Sequence, residues 1–206
     1  MQINFLLIVN QEILVETIYN KLIIITAPSG AGKTSIIKYL LNKYPQLSFS
    51  VSATTRTQRK DEENGLDYYF ISTDDFKQKI QHNEFVEWEM VYQGKYYGTL
   101  KTELHRIWNN NQVPVLDIDV KGAIHVQQKL VFNCLSVFIE PPSIEILRKR
   151  LEARGTETSE TLQDRINKAS YEISFKDNFD NVIVNDDLDK ACRETEFIVQ
   201  KFLADD

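Results

Sequence analysis

The sequence predicts an α/β protein: a parallel sheet flanked by helices, with a smaller, mostly antiparallel lobe inserted into it. Three observations support this prediction. Apolar strands alternate with amphipathic helices near both ends of the chain, a pattern typical of parallel sheets with right-handed crossovers. A glycine-containing loop joins the first of these strands to the first of these helices. Between about residues 47 and 100 the chain changes to short alternating or aromatic segments separated by polar turns.

The first predicted elements follow an apolar-rich extension, residues 1–20. The extension lacks the preceding positive charge and the small-residue cleavage site of a signal peptide. Lys21–Thr26 is a continuous apolar run of strand length, as expected for a strand covered on both faces. Apolar residues then repeat at helical spacing over Lys33–Tyr44, and Pro45 ends this predicted helix.

The inserted lobe is predicted over residues 47–100, within a core formed by residues 21–46 and 101–206. One helix is expected in the lobe, over Asp74–His82. The expected strand segments of the lobe are Ser48–Ala53, Tyr68–Ser72, Phe85–Met90 and Lys95–Tyr97.

Strands and helices alternate again after residue 100. The expected strands are Val113–Ile118, Leu135–Ile139 and Asn181–Val184. The expected helices are Leu100–Asn109, Val120–Leu130, Ser143–Ala153, Leu162–Asp177 and Asp187–Leu203.

The composition is that of an ordinary globular protein. The 206 residues carry a net charge of −6, with 42% hydrophobic and 26% charged residues, values typical of a folded domain. The acidic balance argues against a nucleic-acid partner, and no apolar run reaches the roughly 18 residues of a membrane span. We therefore expect a cytoplasmic protein. Cys134 and Cys192 are expected to be buried thiols in a reducing compartment, with a single disulfide as the alternative.

A phosphate-binding loop is the most specific motif in the sequence. Residues 27–34 read APSGAGKT, which matches Gly-x4-Gly-Lys-Ser/Thr with alanine in place of the first glycine. The motif lies between an apolar strand and an amphipathic helix, as it requires. Such a loop directs backbone N–H groups and a helix N-terminus at phosphates, so we expect Lys33 to reach the β- and γ-phosphates and Thr34 to bind Mg²⁺. The plain alternative is a simple glycine-serine turn.

A second anion site is predicted in the inserted lobe. Arg56 and Arg59 are three residues apart on an extended or turning segment, so their forked donors can converge on one anion. Tyr68 offers a neutral hydroxyl donor nearby. Two solvated arginines in a polar loop are the alternative.

Nine segments that follow one another along the chain resemble those of guanylate kinases, which phosphorylate GMP with ATP. They extend from about Leu22 to Leu188, more than four-fifths of the sequence: APSGAGKTS, SVSATTRTQR, GLDYYF, NEFVEW, GKYYGT, LDIDVKGA, FIEPPS, RLEARGTE and VIVNDDLD. The resemblance implies a P-loop nucleoside monophosphate kinase fold, with a GMP-binding lobe and a small lid over about residues 150–165. It also implies transfer of the γ-phosphoryl group of ATP to GMP, in purine nucleotide metabolism.

The resemblance also implies which residues bind GMP. Guanine offers N1–H and an exocyclic amine as donors, so it requires carboxylates at that edge, and adenine would leave such carboxylates unpaired. Taken alone, Glu87 could be a charge on an exposed strand face, and Asp119 could cap a helix. The GMP phosphate is expected to be held by Arg56, Arg59, Tyr68 and Tyr97, and guanine to be recognised by Glu87, Asp119, Ser52 and Thr99.

A further set of residues is implied for ATP and catalysis. The lid arginines are expected to neutralise charge on the migrating phosphoryl group, although solvated helix faces would also explain them. Asp117, at a strand end, is expected to help hold Mg²⁺, and Asn185 to contact adenine, or else to lie near a helix N-cap. The implied catalytic residues are Lys33, Arg150, Arg154 and Arg165, and the implied ATP contacts are Ala27, Pro28, Ser29, Gly30, Ala31, Gly32, Lys33, Thr34, Ser35 and Asn185.

Two other functions are compatible with part of this pattern. One is a catalytically inactive guanylate-kinase-like interaction module, which the intact Gly32-Lys33-Thr34 and both arginines of the lobe oppose. The other is a kinase for another mononucleotide, which the acidic pair opposes.

The family usually has proline and glycine where this chain has Gln58 and Asp61. Their loss is expected to loosen the loop and weaken GMP binding. The sequence leaves the oligomeric state open.

Overall fold

The computed structural model describes residues 21–129, 133–153 and 159–205; the predicted extension, residues 1–20, lies outside them. The strands are β1 Lys21–Thr26, β2 Leu47–Ser50, β3 Ala53–Thr54, β4 Tyr69–Phe70, β5 Phe85–Tyr92, β6 Lys95–Leu100, β7 Val113–Asp117, β8 Asn133–Glu140 and β9 Asn181–Val184. The helices are α1 Lys33–Lys43, α2 Thr73–Gln81, α3 Lys101–Asn109, α4 Val120–Gln128, α5 Ile144–Ala153, α6 Ser159–Ile173 and α7 Leu188–Ala204, with a 3₁₀ turn at Lys176–Asn178.

The described chain divides into two compact units. The lobe unit comprises residues 21–22, 46–116, 125–129 and 133–134. The loop unit comprises residues 23–45, 117–124, 135–153 and 159–205.

The larger sheet has five strands in the order β2-β7-β1-β8-β9. Its two outer pairs, β2 with β7 and β8 with β9, are parallel, as the alternation of strands and helices predicts. All six residues of β1 are buried, because a strand in the middle of such a sheet is covered on both faces. The predicted α/β class with a parallel sheet flanked by helices is confirmed.

The smaller sheet lies within the lobe unit and has the order β4-β3-β6-β5. Its β3–β6 and β5–β6 pairs are antiparallel, whereas β3 and β4 are parallel. The core under this sheet contains Ala53, Phe76 and Phe85, with the two phenylalanine rings stacked at 4.3 Å between centroids. Helix α2 therefore anchors the sheet through Phe76, the residue that it buries.

Two elements differ from the sequence prediction. The expected strand segment Ser48–Ala53 is divided, because Leu47–Ser50 pairs with Val113–Leu116 in the larger sheet and Ala53–Thr54 belongs to the smaller one. Residues 174–177, predicted as the end of a helix, lie beyond α6, which ends at Ile173. No helix among the described residues is long and apolar enough to cross a bilayer.

Candidate active site

The phosphate loop of the loop unit has a backbone that requires glycine at two positions. Gly30 and Gly32 have φ values of +93° and +97°, a region that residues with a side chain rarely adopt. A Cβ at Gly30 would lie 2.9 Å from the side chain of Leu147 and 3.0 Å from that of Leu151. Ala27, which replaces the first glycine of the motif, is buried, so its methyl group is accommodated at the start of the loop.

Lys33 is held at the carboxyl end of β7. Its ammonium group forms an ion pair with Asp117 and lies 3.4 Å from the carbonyl oxygen of Ile118. Thr26, at the end of β1, donates to the same carbonyl at 2.9 Å. The phosphate-loop lysine and the predicted Mg²⁺ ligand Asp117 are therefore in contact, while Thr34 is exposed at the first turn of α1.

Two of the predicted lid arginines contact the surroundings of this loop. Arg165 donates to the Ser29 hydroxyl at 3.0 Å, and Arg150 donates to the backbone carbonyl of Asn185 at 2.9 Å. Arg154 lies outside the described residues. Helices α5 and α6, which carry Arg150 and Arg165, pack on each other through a buried apolar cluster of Leu147, Leu151, Ile166 and Ala169.

Asn185 lies against the phosphate loop. Its side chain is 3% exposed, and its Nδ2 donates to the carbonyl oxygen of Ala31 at 2.7 Å. Its Oδ1 is buried and has no hydrogen-bond partner among the described residues. The sequence implied that Asn185 contacts ATP, and this contact with the loop was not anticipated.

Asp119 caps helix α4, the alternative that the sequence left open. Its Oδ1 accepts from the Gly122 N–H at 2.9 Å. Nearby Glu172, on α6, is 7% exposed and lies 3.6 Å from the ammonium group of Lys168. Burial raises the pKa of Glu172, and the negative charge of Asp119 adds to the increase. Glu172 was not predicted from the sequence, because a glutamate near the end of an amphipathic helix carries no distinctive signal.

Neighbouring side chains of the lobe unit hold the guanidinium group of Arg56. Its two terminal nitrogens donate to the two carboxylate oxygens of Glu62 at 2.6 and 2.5 Å. Its guanidinium carbon lies 4.8 Å from the ring centre of Tyr68 and 5.5 Å from that of Phe70. The hydrogen bonds with Arg56 lower the pKa of Glu62 to about 2, so Glu62 is ionised at neutral pH.

Two other predicted ligands of the GMP phosphate, Tyr97 and Arg59, contact the residues that hold Arg56. The ring of Tyr97 packs edge-on against that of Tyr68 at 6.0 Å. Arg59 is exposed, but its backbone N–H donates to Glu62 at 2.9 Å. Glu62 therefore organises both arginines of the motif. Its position was visible in the sequence, but its role was not assigned.

Glu87 and Thr99 form a buried pair on neighbouring strands of the lobe. They face each other across β5 and β6, and the Thr99 hydroxyl donates to Glu87 Oε1 at 2.7 Å. Glu87 is 6% exposed, which contradicts the alternative of a charge on an exposed strand face. Ser52, another predicted guanine ligand, is also buried.

Gly98 sets the approach of these two strands. A Cβ at Gly98 would lie 2.8 Å from the carbonyl oxygen of Glu87 and 2.9 Å from side-chain atoms of Phe85 and Trp88. Because such distances are shorter than any ordinary contact, only glycine allows β5 and β6 to pair this closely at the Glu87–Thr99 position.

Glu103 holds the framework of the lobe and was not anticipated. It is 3% exposed and accepts from the Val51 N–H and the Tyr69 hydroxyl, both at 2.9 Å. Arg106 neutralises its charge, with a shortest N–O distance of 2.8 Å. Glu103 thus fixes the backbone just before Ser52 and the residue after Tyr68, two predicted GMP ligands.

Comparison with known proteins identifies the family of this chain. The family model for guanylate kinase matches residues 19–202. The chain belongs to the guanylate kinase family. The guanylate kinase of Bacteroides thetaiotaomicron is 44% identical over 194 residues, which cover 94% of this chain and 95% of that protein. That of Bacteroides fragilis is 46% identical over 186 residues, covering 90% and 91%.

A solved guanylate kinase also has a similar fold. The crystal structure of the Anaplasma phagocytophilum guanylate kinase superposes with a TM-score of 0.72 at 28% identity, over 90% of this chain and 87% of that one. The family resemblance and the fold class predicted from the sequence are therefore confirmed. The chain is a phosphotransferase of the guanylate kinase family, whose reaction is the ATP-dependent phosphorylation of GMP to GDP.

Proposed function

We propose that the phosphate loop binds ATP, that the residues implied by the resemblance, most of them in the lobe unit, bind GMP, and that the γ-phosphoryl group passes from ATP to GMP. The proposed GMP-binding lobe comprises residues 47–100, which lie within the lobe unit, and the proposed lid comprises about residues 150–165. The observation that carries the proposal is the buried Glu87–Thr99 pair, with 2.7 Å between the Thr99 hydroxyl and the carboxylate. A buried carboxylate requires donors, and the guanine edge supplies two.

ATP is proposed to lie on the phosphate loop, residues 27–35. The positive φ values of Gly30 and Gly32 support a curled backbone whose N–H groups face phosphate oxygens. Lys33 contributes its charge to the β- and γ-phosphates, and Arg150, Arg154 and Arg165 neutralise the charge that moves during transfer. Phosphoryl transfer depends on positioning and electrostatic stabilisation rather than on covalent chemistry by the protein.

Mg²⁺ is the proposed cofactor, bound together with ATP. The donor set fits this ion, because Mg²⁺ prefers oxygen ligands and usually takes only one or two from the protein, with phosphates and waters as the rest. The Thr34 hydroxyl is exposed at the helix N-terminus and the Asp117 carboxylate lies against Lys33. Thr34 and Asp117 would hold the bound ion, which would reduce the negative charge of the triphosphate.

GMP is proposed to bind with its phosphate at Arg56, Arg59, Tyr68 and Tyr97 and its base at the acidic residues. The preformed contact of Arg56 with Glu62 and Tyr68 supports this, because an arginine already oriented loses little conformational freedom on binding. Glu87 and Asp119 accept from the base, and Ser52 and Thr99 complete its hydrogen bonds.

The proposed setting is purine nucleotide metabolism in the cytoplasm, with ATP and GMP as partners and no role for nucleic acid or membrane. Neither cysteine forms a disulfide in the part of the chain that the structure describes, which supports a reducing compartment.

A coupled assay of ADP release tests the assignment. ADP release is expected to require GMP and Mg²⁺ and to be far slower with AMP or CMP. Lys33→Ala is expected to lower kcat by about 100-fold or more, while GMP binding measured by calorimetry stays unchanged because Lys33 is not among the proposed GMP ligands. Lys38→Ala, an exposed lysine of the same helix, is the matched control. GMP-independent ATP consumption, GMP binding without turnover, or equal turnover with AMP would reject the proposal.

A further inference from the structure

Asn185 is tied to the phosphate loop by contacts that do not involve a nucleotide. The side-chain Nδ2 donates to the Ala31 carbonyl at 2.7 Å, in a buried position. The backbone N–H of Asn185 donates to the carbonyl of Glu140, the last residue of β8, at 2.8 Å. Because Asn185 is fixed to the sheet, the hydrogen bond from its side chain can fix the loop in turn.

Asn185 holds the peptide group between Ala31 and Gly32, whose N–H can donate to a phosphate oxygen. In a trans peptide the carbonyl of one residue and the N–H of the next point in opposite directions, and no cis peptide occurs among the described residues. Fixing the Ala31 carbonyl therefore fixes the direction of the Gly32 N–H. That N–H has no hydrogen-bond partner among the described residues, as expected of a donor kept for a ligand.

Space around the loop leads to the same conclusion. A Cβ placed on Gly32 would lie 2.1 Å from Asn185 Nδ2, so the amide of Asn185 occupies the position where a side chain at residue 32 would be. The backbone carbonyl of Asn185 accepts from Arg150 at 2.9 Å. Asn185 is thus held by β8 and Arg150 through its backbone, and its side chain contacts the loop.

We propose that Asn185 is a positioning residue of the phosphate loop, which aims the Gly32 N–H at the triphosphate by holding the Ala31 carbonyl. This inference rests on the proposed placement of ATP on that loop. It assigns Asn185 a role different from the adenine contact implied by the family resemblance, because the base of the nucleotide is not needed for it.

Inorganic tripolyphosphate, which has no base, separates the two roles. Its binding with Mg²⁺ would be measured by calorimetry and by competition against ATP, in the wild type and in Asn185→Ala. Loss of one hydrogen bond predicts about 5- to 10-fold weaker binding of tripolyphosphate, with ATP binding weakened by the same factor. Asn181→Ala, on the same strand β9, is the control and is expected to bind both probes like the wild type.

An adenine contact alone predicts a different outcome. Asn185→Ala would then weaken ATP binding and leave tripolyphosphate binding unchanged, which would overturn the inference. Lys33→Ala distinguishes that result from failure of the proposed function. If tripolyphosphate binds to the wild type and to Lys33→Ala equally well, the loop is not the triphosphate site. If only the Lys33 variant loses binding, the role of Asn185 alone is rejected.

A measurement without ligand keeps the inference testable should Asn185→Ala fold poorly. Asn185→Thr keeps a similar volume and replaces the amide that reaches Ala31 by a shorter hydroxyl group, so it is expected to fold. Nuclear magnetic resonance of this variant should show a shifted amide nitrogen resonance and larger backbone motion at Gly32, because the Ala31–Gly32 peptide group is no longer held, while the resonances of the lobe unit stay unchanged. A Gly32 amide whose resonance and motion are both unchanged would contradict the proposal.

Discussion

At the scale of single residues, the contact with Glu62 orients Arg56, a proposed ligand of the GMP phosphate. Both terminal nitrogens of Arg56 are within 2.6 Å of Glu62 carboxylate oxygens, and such bidentate pairs fix the guanidinium plane as well as its position. The sequence predicted Arg56 from its spacing to Arg59. It could not predict the pairing, because five residues of irregular loop separate Arg56 from Glu62 and only the folded turn brings them together.

Replacing Glu62 should therefore impair GMP binding. Glu62→Gln is expected to raise KM for GMP by about 5- to 20-fold, since a charge-assisted pair that orients Arg56 is lost, and to leave kcat and KM for ATP nearly unchanged. Steady-state kinetics with each substrate varied would measure this. Glu63→Gln, on the exposed neighbouring residue, should behave like the wild type. An unchanged KM for GMP would show that Arg56 is oriented without Glu62.

At the scale of elements, helices α1 and α7 are joined by a cluster around Glu196. Its carboxylate accepts from the hydroxyls of Tyr39 and Tyr44 at 2.5 and 2.6 Å, and Lys43 lies 2.7 Å away. The hydrogen bonds from Lys43 and the two tyrosines lower the pKa of Glu196 to about 2. Because α1 begins at the phosphate loop, this cluster also supports the helix that carries Lys33.

The pH dependence of stability follows from that shift. A carboxylate whose pKa is lower in the folded state stabilises the fold above its unfolded pKa, and the stabilisation is lost as the pH falls through the folded pKa. Glu196→Gln should lower the melting temperature at pH 7 by about 2–4 °C. The difference from the wild type should shrink between pH 4.5 and about 2.

Calorimetric or circular-dichroism melting curves over this pH range would measure the effect. Glu194→Gln is the control, because its distance of 3.7 Å to Lys190 marks a weak surface ion pair. A difference between Glu196→Gln and the wild type that stays constant down to pH 2 would contradict the proposed ionic cause.

The elements themselves were largely predictable, and the exceptions have physical reasons. Helix α2 was expected over Asp74–His82 and occupies Thr73–Gln81, where the Ser72 hydroxyl accepts from the Asp75 N–H at 3.0 Å. Apolar spacing and caps are local signals. Sheet membership is not local, so the pattern over Ser48–Ala53 indicated an extended segment without showing that Leu47–Ser50 pairs with residues more than 60 positions away.

At the scale of the whole molecule, the order of motifs along the chain was sufficient to predict the family. It was not sufficient to predict the buried carboxylates that hold the framework. Glu103 lies on an amphipathic helix beside Leu104 and Ile107, where sequence patterns favour apolar residues. Only the fold shows that Val51, Tyr69 and Arg106 converge on it.

The state of the two thiols is a further property of the whole molecule. Cys192 is buried as expected, whereas Cys134 is partly exposed, and neither forms a disulfide within the described residues. Burial raises the pKa of Cys192, so its reactive thiolate is scarce at neutral pH. A thiol reagent such as Ellman's should modify Cys134 first and both cysteines only after denaturation, and reductant should leave the melting temperature unchanged. A melting temperature that falls on reduction would reveal a disulfide. Cys134→Ser should abolish the rapid reaction of the folded protein with this reagent.

The narrow approach of β5 and β6 at Gly98 limits how substrate preference could be changed. Any larger residue there would push its neighbours on β5 outward and separate Glu87 from Thr99, whatever side chains those positions carried. Variants designed to accept a different purine should therefore change residues 87 and 99, the proposed base contacts, and keep Gly98, because Gly98 sets the spacing of the two strands that carry them.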